Sequence, residues 1–122
     1  MPSNTVPSPR NCPIARSLDL LGDRWTLLVL REVFYGTHRF EGFVTMIGAP
    51  RDILSGRLGR LVDHGLLVKR PYNPSGTRFE YHLTRKGLAT RPILVALGEF
   101  GEAELPDSNA PWRRLATTAD SD

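Results

Sequence analysis

Apolar residues recur every three or four positions through the first half of the chain, and this spacing predicts four helices. The first begins at Cys12-Pro13, because proline suits the opening turn of a helix, and stops at Gly22. The second helix is capped by Asp23, is apolar around most of its circumference and ends at Gly36. We expect this second helix to form the centre of the core.

Two shorter helices follow, and a tight turn joins them. The third spans residues 40–47, after which a Gly-Ala pair breaks the helix. Pro50 fits the first turn of the fourth, which runs to His64 with Gly65 as its cap. Two short helices of this kind, with the second polar and basic on its outer side, are the parts of a helix-turn-helix.

The fourth helix raises a question about glycine. Its inner stripe is apolar and consists of Leu54, Leu58, Leu61 and Val62, with Ile53 at the edge. Its outer side carries charged residues, a serine and two glycines: Arg51, Asp52, Ser55, Gly56, Gly59, Arg60 and Asp63, with Arg57 near the border. A glycine inside a helix costs about 1 kcal/mol relative to alanine. Either a requirement other than helix stability selects Gly56 and Gly59, or the helix is supported from elsewhere.

A β-hairpin follows the fourth helix. Residues 66–72 include several strand formers, the segment N-P-S-G is typical of a turn, and residues 77–83 alternate apolar with polar side chains. The tip would carry Ser75, Gly76, Thr77 and Arg78. A hairpin directly after a helix-turn-helix is a winged helix. The expected fold class is therefore mainly α with a small β-hairpin (α+β), a winged helix-turn-helix.

Charge is distributed unevenly along the 122 residues. The formal net charge is +3, yet residues 51–86 hold eight basic and three acidic side chains, whereas residues 87–122 hold three and six. Because an electric field depends on where charge sits, the basic centre predicts a local anion-binding surface. A solvated charged face is the plainer alternative. In the winged-helix context, double-stranded DNA is the anion we expect.

Three parts are expected along the chain. Thr84 caps a last helical stretch, which Pro92 bends or interrupts because proline lacks an amide N–H. From Pro106 onward the composition turns polar and proline-bearing. The parts are a mobile N-terminal arm at residues 1–11, a winged-helix DNA-binding and dimerisation domain at residues 12–105, and a flexible C-terminal tail at residues 106–122.

Four stretches of the sequence match one known family in the same order. They are C-P-I-A-R-S-L-D-L-L-G-D-R-W-T-L-L-V-L-R-E, H-R-F-E-G-F, I-L-S-G-R-L-G-R-L-V-D-H-G-L-L-V-K-R and F-E-Y-H-L-T-R-K-G. From Cys12 to about Phe100 the chain thereby resembles the HxlR-type winged-helix transcription regulators of bacteria, part of the MarR-like winged-helix group. The resemblance implies a homodimer that binds operator DNA, with the N- and C-terminal helices forming much of the dimer contact.

The sequence departs from the family pattern at a few positions. Ala49 stands where the family usually has a larger aliphatic residue, and Phe100 stands where a tryptophan is common. Gly56 and Gly59 replace longer polar residues, and a residue without a side chain cannot reach a base edge. If the fourth helix lies in a major groove, these glycines would instead let its backbone approach the DNA closely.

The resemblance and the basic residues together predict a set of DNA contacts. Arginine can bond both acceptors of a guanine, so the fourth helix would reach base edges or phosphates through Arg51, Ser55 and Arg60. Arg57 is assigned to a phosphate or to an intramolecular carboxylate. At the hairpin, Arg78 could enter a minor groove, and Lys69 and Arg70 could meet phosphate. Arg39 is a further candidate. For every cation the alternative is a solvated surface charge.

Dimerisation is predicted from the apolar faces of the first and last helices. These faces exceed what one small domain needs to cover its core, although some of them must pack on the second helix. The residues assigned to the dimer interface are Ile14, Leu18, Leu94, Leu97 and Phe100. A dimer would place its reading helices about 34 Å apart, one turn of DNA, so the operator should be an inverted repeat.

Cys12, the one cysteine, is a candidate for redox or electrophile sensing. It lies at a helix N-terminus near Arg10 and Arg16, where the positive end of the helix dipole favours the thiolate. Some regulators of the family that the chain resembles sense oxidants or electrophiles such as aldehydes and quinones through a cysteine in this position. Oxidation would have to give a mixed adduct or a disulfide between subunits. The alternative is a small, partly buried residue that packs at the dimer contact.

No motif of an enzyme is present. His38, His64 and His82 lack the spacing of a metal site, and neither a glycine-rich phosphate loop nor a Ser/His/Asp set is suggested. We therefore expect no catalytic residues, no metal and no cofactor. Because no apolar run could span a bilayer and the first ten residues lack the core of a signal peptide, the expected location is the cytoplasm, without a membrane partner.

These observations lead to one expected function and one rival. The chain is expected to be a sequence-specific transcriptional regulator, a repressor, that acts as a homodimer on an inverted-repeat operator. A response to oxidants or electrophiles through Cys12 and a response to a small ligand both stay open. The rival is a winged-helix module for protein interaction or small-ligand binding that does not bind DNA specifically.

Overall fold

The computed structural model describes residues 12–105, 107, 112–113 and 115. Within that part the chain forms α1 (Pro13–Leu21), α2 (Arg24–Tyr35), α3 (Phe40–Ile47), α4 (Arg51–Asp63), β1 (Leu67–Pro71), β2 (Phe79–Leu83), α5 (Arg85–Leu88) and α6 (Arg91–Glu104). This order confirms the predicted class, mainly α with one small hairpin. The predicted arm at residues 1–11 lies outside the described residues, as does most of the predicted tail.

The helix boundaries follow from local capping. The Asp23 carboxylate accepts hydrogen bonds from the backbone N–H groups of Trp25, at 2.9 Å, and Thr26, at 3.0 Å, and so caps α2. At the other end of α2, Gly36 takes the left-handed conformation (φ 104°) that ends many helices. Pro50 stands immediately before α4 as its N-cap, just outside the first turn in which it was predicted.

The core forms around α2, as predicted. Val29 and Leu30 are completely buried on this helix, and Phe43 of α3 is buried against it. α4 contributes three inward leucines: Leu54, Leu58 and Leu61. α2 contacts α3, α4 and the hairpin strand β2, so it holds the helix-turn-helix and the hairpin in one orientation. No helix in the part described here has both the length and the hydrophobicity to cross a lipid bilayer.

The hairpin is antiparallel, and its register pairs Leu67 with Leu83 at the base and Pro71 with Phe79 near the turn. Leu67 is buried at the base, whereas residues 69–71 are exposed. All five residues of β2 are partly exposed, so the predicted alternation does not separate a buried face from a solvent face. A hydrogen bond from the Tyr81 N–H to the carbonyl of His38, at 2.8 Å, joins β2 to the segment before α3.

The last helical stretch is interrupted, which is one of the two predicted outcomes. Thr84 accepts a hydrogen bond from the Gly87 N–H at 3.0 Å and caps the short α5. The chain turns at residues 89–90 and restarts as α6, with Pro92 in the first turn, where its missing N–H breaks no helical bond.

Two described residues of the predicted tail contact α6, and a third is buried. The Trp112 ring lies against Gly98, where a Cβ would clash with the ring, and the Trp112 indole N–H donates to Glu102 at 3.0 Å. Arg113 forms an ion pair with the same Glu102 carboxylate at 2.7 Å. Leu115 is only 3% exposed and joins the core cluster.

Candidate nucleic-acid interface

The outer side of α4 is open. Ser55, Gly56 and Gly59, which we call the open flank of α4, are exposed on the side opposite the buried leucines. Apart from the nearby backbone of α4 itself, a Cβ added at Gly56 or at Gly59 would meet no atom of the described residues within 4 Å, and neither glycine has a positive φ. The packing of the chain on itself therefore does not require glycine at either position.

Arg51 begins α4 and pairs with α3. Its two terminal nitrogens donate to the two carboxylate oxygens of Glu41, each at 2.8 Å. The hydrogen bonds from Arg51 hold the pKa of Glu41 below its usual value, and those to Glu41 hold the pKa of Arg51 above its usual value. Both side chains are more than half exposed, and surface pairs of this kind contribute little to stability. Arg51 can thus exchange Glu41 for another anion at low cost.

Arg57 and Arg60 are turned toward the link between α1 and α2. Arg57 Nε donates to Asp23 Oδ1 at 3.1 Å, which is the intramolecular alternative considered for this residue. Arg60 lies 3.8 Å from the other oxygen of Asp23 and also donates to the backbone carbonyl of Asp19. Contact between Arg60 and a base would require these interactions to break, and it stays a prediction.

Asp23 therefore has two roles, of which the sequence indicated only the helix cap. Partial burial raises the pKa of this carboxyl group, but hydrogen bonds from Thr26 and Arg57 outweigh that effect and hold the pKa below its usual value. The carboxylate thus stays ionised and ties α4 to the start of α2. Its arginine partners lie more than thirty positions away, so no local pattern could have identified them.

Asn73 organises the hairpin tip, a role that the sequence analysis missed. Its side-chain oxygen accepts from the backbone N–H groups of Thr77, at 3.1 Å, and Arg78, at 2.9 Å, while its amide donates to Ser75 and Thr77. Gly76 takes a positive φ of 72° that this turn needs. The tip is therefore an ordered turn that presents the Arg78 side chain to solvent.

The cations of the hairpin differ in their surroundings. The Lys69 ammonium lies 4.5 Å from the centre of the Phe79 ring. Arg70 and Arg78 are exposed, and within the described part of the chain neither side chain has an acidic partner. Arg39, just before α3, pairs with Glu80 at 2.9 Å and lies over the Tyr72 ring at 3.6 Å from its centre.

A small polar cluster holds the hairpin beside the helix-turn-helix. Glu80 accepts from His82 at 2.9 Å as well as from Arg39, and hydrogen bonds from these two side chains lower its pKa. The His82 ring stacks on His38 with 4.1 Å between the ring centres. The three histidines carried no functional signal in the sequence, yet two of them connect β2 to the segment before α3.

The predicted dimer residues differ in exposure. Ile14 and Leu18 of α1 are 73% and 59% exposed, and Leu97 and Phe100 of α6 are 50% and 61% exposed. The assignment of Leu94 to the dimer interface is wrong. Leu94 is 7% exposed because it packs in the core of its own chain, so a partner subunit cannot contact it.

Cys12 lies at the N-cap of α1 and is partly exposed. Its carbonyl accepts the first hydrogen bond of the helix, from the Arg16 N–H at 3.0 Å. The thiol makes no capping hydrogen bond, so the structure gives it no role in forming α1.

Comparisons with known proteins agree with this geometry. A model of the HxlR-like helix-turn-helix family matches residues 20–109. The HTH-type transcriptional regulator Mb3122 of Mycobacterium bovis is 42% identical over 84% of this chain and 65% of its own length. The HTH-type transcriptional regulator sll1512 of Synechocystis is 36% identical over 74% of this chain and 67% of its own length. The chain thus spans slightly less than two thirds of the mycobacterial relative.

Solved structures show the same fold. PA1607 is 42% identical and superposes with a TM-score of 0.75 over 84% of this chain and 72% of its own. The redox regulator HypR in its reduced form is 25% identical, with a TM-score of 0.72 over 78% of this chain and 95% of its own. The winged helix, the family match and the regulator relatives agree. The chain therefore belongs to the HxlR family of helix-turn-helix transcriptional regulators.

Proposed function

We propose that the chain binds operator DNA sequence-specifically and represses nearby genes. The observation that supports this most is the open flank of α4. Gly56 and Gly59 weaken an isolated helix by about 1 kcal/mol each, and within the described part of the chain no close contact requires them. The absence of side chains at both glycines lets the α4 backbone approach a major groove closely. Ser55 then faces the base edges.

The exposed cations of α4 and of the hairpin suit a phosphate backbone. Arg51 is exposed at the start of α4, and Arg70 and Arg78 are exposed on the hairpin. Arg51 reaches a base edge or a phosphate after leaving Glu41, while Arg78 enters a minor groove and Arg70, with Lys69, contacts phosphate. Arg39 is a further candidate for phosphate, and Arg57 and Arg60 join only if Asp23 releases them.

A homodimer extends the reading surface. The exposed apolar side chains of α1 and α6 are the parts of the chain that a second copy would cover: Ile14, Leu18, Leu97 and Phe100. Two α4 helices related by a two-fold axis would enter successive major grooves about 34 Å apart. The operator is then an inverted repeat with half-sites one turn of DNA apart.

A footprint on the DNA upstream of the gene, combined with a salt titration, tests the proposal. We expect protection of an inverted repeat and an affinity that falls steeply and linearly with the logarithm of salt concentration. The matched control is the same fragment with both half-sites scrambled, which should bind much more weakly. Absence of a footprint together with a flat salt response would reject the proposal and favour a module for protein or small-ligand binding.

Regulation through Cys12 forms the second part of the proposal. One Cys12 thiol from each subunit would lose its proton and one electron, and the two sulfur atoms would join in a disulfide. Diamide, the oxidant, accepts both electrons and both protons and becomes a hydrazine. The likeness to HypR, which is named a redox regulator, supports a redox response of this chain.

The Cys12→Ser variant separates sensing from packing. Diamide should abolish operator binding by the wild-type protein and leave the variant unaffected, and a reductant should restore the wild type. The same loss in both proteins would show that Cys12 is not the sensor.

A further inference from the structure

The C-terminal half of α6 buries none of its own side chains. Leu94, in the first half, is the one buried residue of this helix, and Val95 packs partly against the same core. From residue 96 to residue 104 no residue is buried, and only Gly98 and Gly101 are partly covered. Because a helix in a folded protein is stabilised mainly by the apolar face that it packs, the side chains of this half hold it only weakly to the domain.

A short segment beyond α6 returns to this half of the helix. It consists of Trp112, Arg113 and Leu115, which we call the clasp. The Leu115 N–H donates to the Trp112 carbonyl at 2.9 Å and closes a turn. Leu115 is buried in the core cluster that also contains Leu94, while the Trp112 ring lies on Gly98. The clasp therefore touches the weakly held half of α6 with one apolar side chain and enters the core with another.

Glu102 of α6 orients the clasp. One oxygen of its carboxylate accepts both from the Trp112 indole N–H, at 3.0 Å, and from Arg113, at 2.7 Å. The Arg113 guanidinium also lies 5.0 Å from the centre of the Trp112 ring. Exposed ion pairs contribute little to stability, so the apolar contacts of Trp112 and Leu115 hold the clasp and Glu102 sets its direction.

Gly98 is the position on α6 that the clasp requires. A Cβ at Gly98 would overlap the six-membered ring of Trp112. Apart from the nearby backbone of α6, a Cβ at Gly101, one turn further on, would meet no atom of the described residues within 4 Å. Glycine weakens a helix relative to alanine, and the close approach of the Trp112 ring gives a physical reason for glycine at position 98.

We propose that the clasp fixes the C-terminal half of α6 to the core and thereby strengthens the association of two copies of this chain. Leu97 and Phe100 lie on this half and are exposed, so a second copy would cover them. A helix that is already held in place loses less conformational freedom when it meets a partner. The effect on association rests on the proposed homodimer, whereas the clasp itself does not.

Tryptophan fluorescence in a Trp25→Phe background tests the clasp, because Trp112 is then the one tryptophan of the chain. Gly98→Ala should shift the Trp112 emission to longer wavelength and raise its quenching by acrylamide several-fold, since the added methyl group displaces the ring. Gly101→Ala is the matched control: it makes the same substitution without a clash and should change neither quantity. Equal emission and quenching in the two variants would show that Trp112 does not dock on Gly98, and would overturn the proposal.

Analytical ultracentrifugation without DNA then measures the association. Gly98→Ala should raise the dissociation constant of the dimer about tenfold, because the released half of α6 must be ordered on binding. Gly101→Ala should keep the wild-type value. Leu115→Ala removes the buried anchor of the clasp without changing the surface of α6, and it should weaken the dimer to a similar extent. The double variant of Gly98→Ala and Leu115→Ala should be no weaker than either single variant, because both changes release the same contact.

The outcomes separate the clasp from the homodimer. A Trp112 ring that is released while the dissociation constant stays unchanged contradicts the effect on association, as do fully additive losses in the double variant. A wild-type protein that is monomeric contradicts the proposed homodimer and with it this effect, while the fluorescence still decides whether the clasp exists. Circular dichroism checks that Leu115→Ala is folded; should it unfold, Gly98→Ala decides the outcome, since alanine favours the helix.

Discussion

Asp23 links two helices through a single carboxylate. It caps α2 and, from the same position, holds Arg57 and Arg60 of α4. This arrangement fixes where α4 lies relative to α2, and it also keeps two arginines from the open flank. The residue therefore affects both the stability of the domain and the charge available to DNA.

Replacing Asp23 by alanine should lower the free energy of unfolding by about 1–2 kcal/mol, because α2 loses its cap. Urea denaturation measures this change. The Asp23→Ser variant keeps a capping oxygen without the charge, and its loss should be smaller. An alanine variant as stable as the wild type would show that the cap contributes nothing.

The stability conferred by Asp23 should depend on pH. Its pKa in the folded protein is lowered, so the unfolded chain binds more protons between the two values. The contribution is complete above the unfolded pKa of about 3.9 and is lost as the pH falls through the folded value. The difference in unfolding free energy between wild type and Asp23→Asn should therefore be constant from about pH 5 to 7 and should shrink below about pH 4. A difference that does not change down to about pH 2.5 would contradict this reading.

Sequence analysis identified single residues where the signal is local. Asp23 before an apolar run and Gly36 after it marked both ends of α2, because caps act on the adjacent turn. The contact of Arg60 with Asp23 was not predicted, since it depends on how α4 crosses α2. Asn73 was seen only as part of a turn, because its five-residue hydrogen-bond pattern requires the final backbone conformation.

At the level of elements, the helix-turn-helix and the hairpin were predictable from periodicity and turn residues. The position of the hairpin relative to the helix-turn-helix was not predictable. Contacts of Arg39, His38 and Tyr81 fix this position, and they join segments that are distant in the sequence. A cleft between α3 and the hairpin, lined by Arg39, Tyr72 and Phe79 among others, follows from that position. It could not have been inferred from the sequence, where α3 and β2 are some forty residues apart.

At the hairpin tip, Arg78 should add a positive charge to the contact with DNA as its side chain enters a minor groove. Arg78→Ala should weaken binding to every DNA sequence and reduce the slope of log affinity against log salt by about 1 for each protomer. The turn should persist, since Asn73 holds the backbone N–H of this residue and not its side chain.

Binding measured at several salt concentrations tests Arg78→Ala, with Arg85→Ala as the control at another exposed arginine. The control should retain the wild-type slope. If Arg78→Ala also retains it, Arg78 does not contact DNA.

For the whole molecule, the apolar periodicity of α1 and α6 indicated more hydrophobic surface than one domain covers. Periodicity alone does not tell which apolar side of a helix packs on the core of its own chain. Leu94 was therefore assigned to the dimer interface, although it is buried in that core. The exposed residues that are left, such as Leu18 and Phe100, are what a second subunit would bury.

A charge placed on this surface should separate the subunits. Phe100→Glu should convert a dimer into a monomer at micromolar concentration, because the carboxylate would lose its hydration at the interface. Analytical ultracentrifugation measures the change. Met46→Glu is the matched control, since Met46 is 57% exposed on α3, outside the proposed interface. A wild-type protein that is already monomeric, or a Phe100→Glu dimer, would contradict the assignment.

The most direct test measures operator affinity and unfolding free energy together for Gly56→Leu. A Cβ at Gly56 meets no other segment among the residues that the structure describes, so the variant should be as stable as the wild type or more stable by up to about 1 kcal/mol. The same side chain would hold the α4 backbone away from the major groove, and operator affinity should fall about 100-fold, equivalent to about 2.8 kcal/mol. A stable variant that binds operator as tightly as the wild type would contradict the placement of the open flank against DNA.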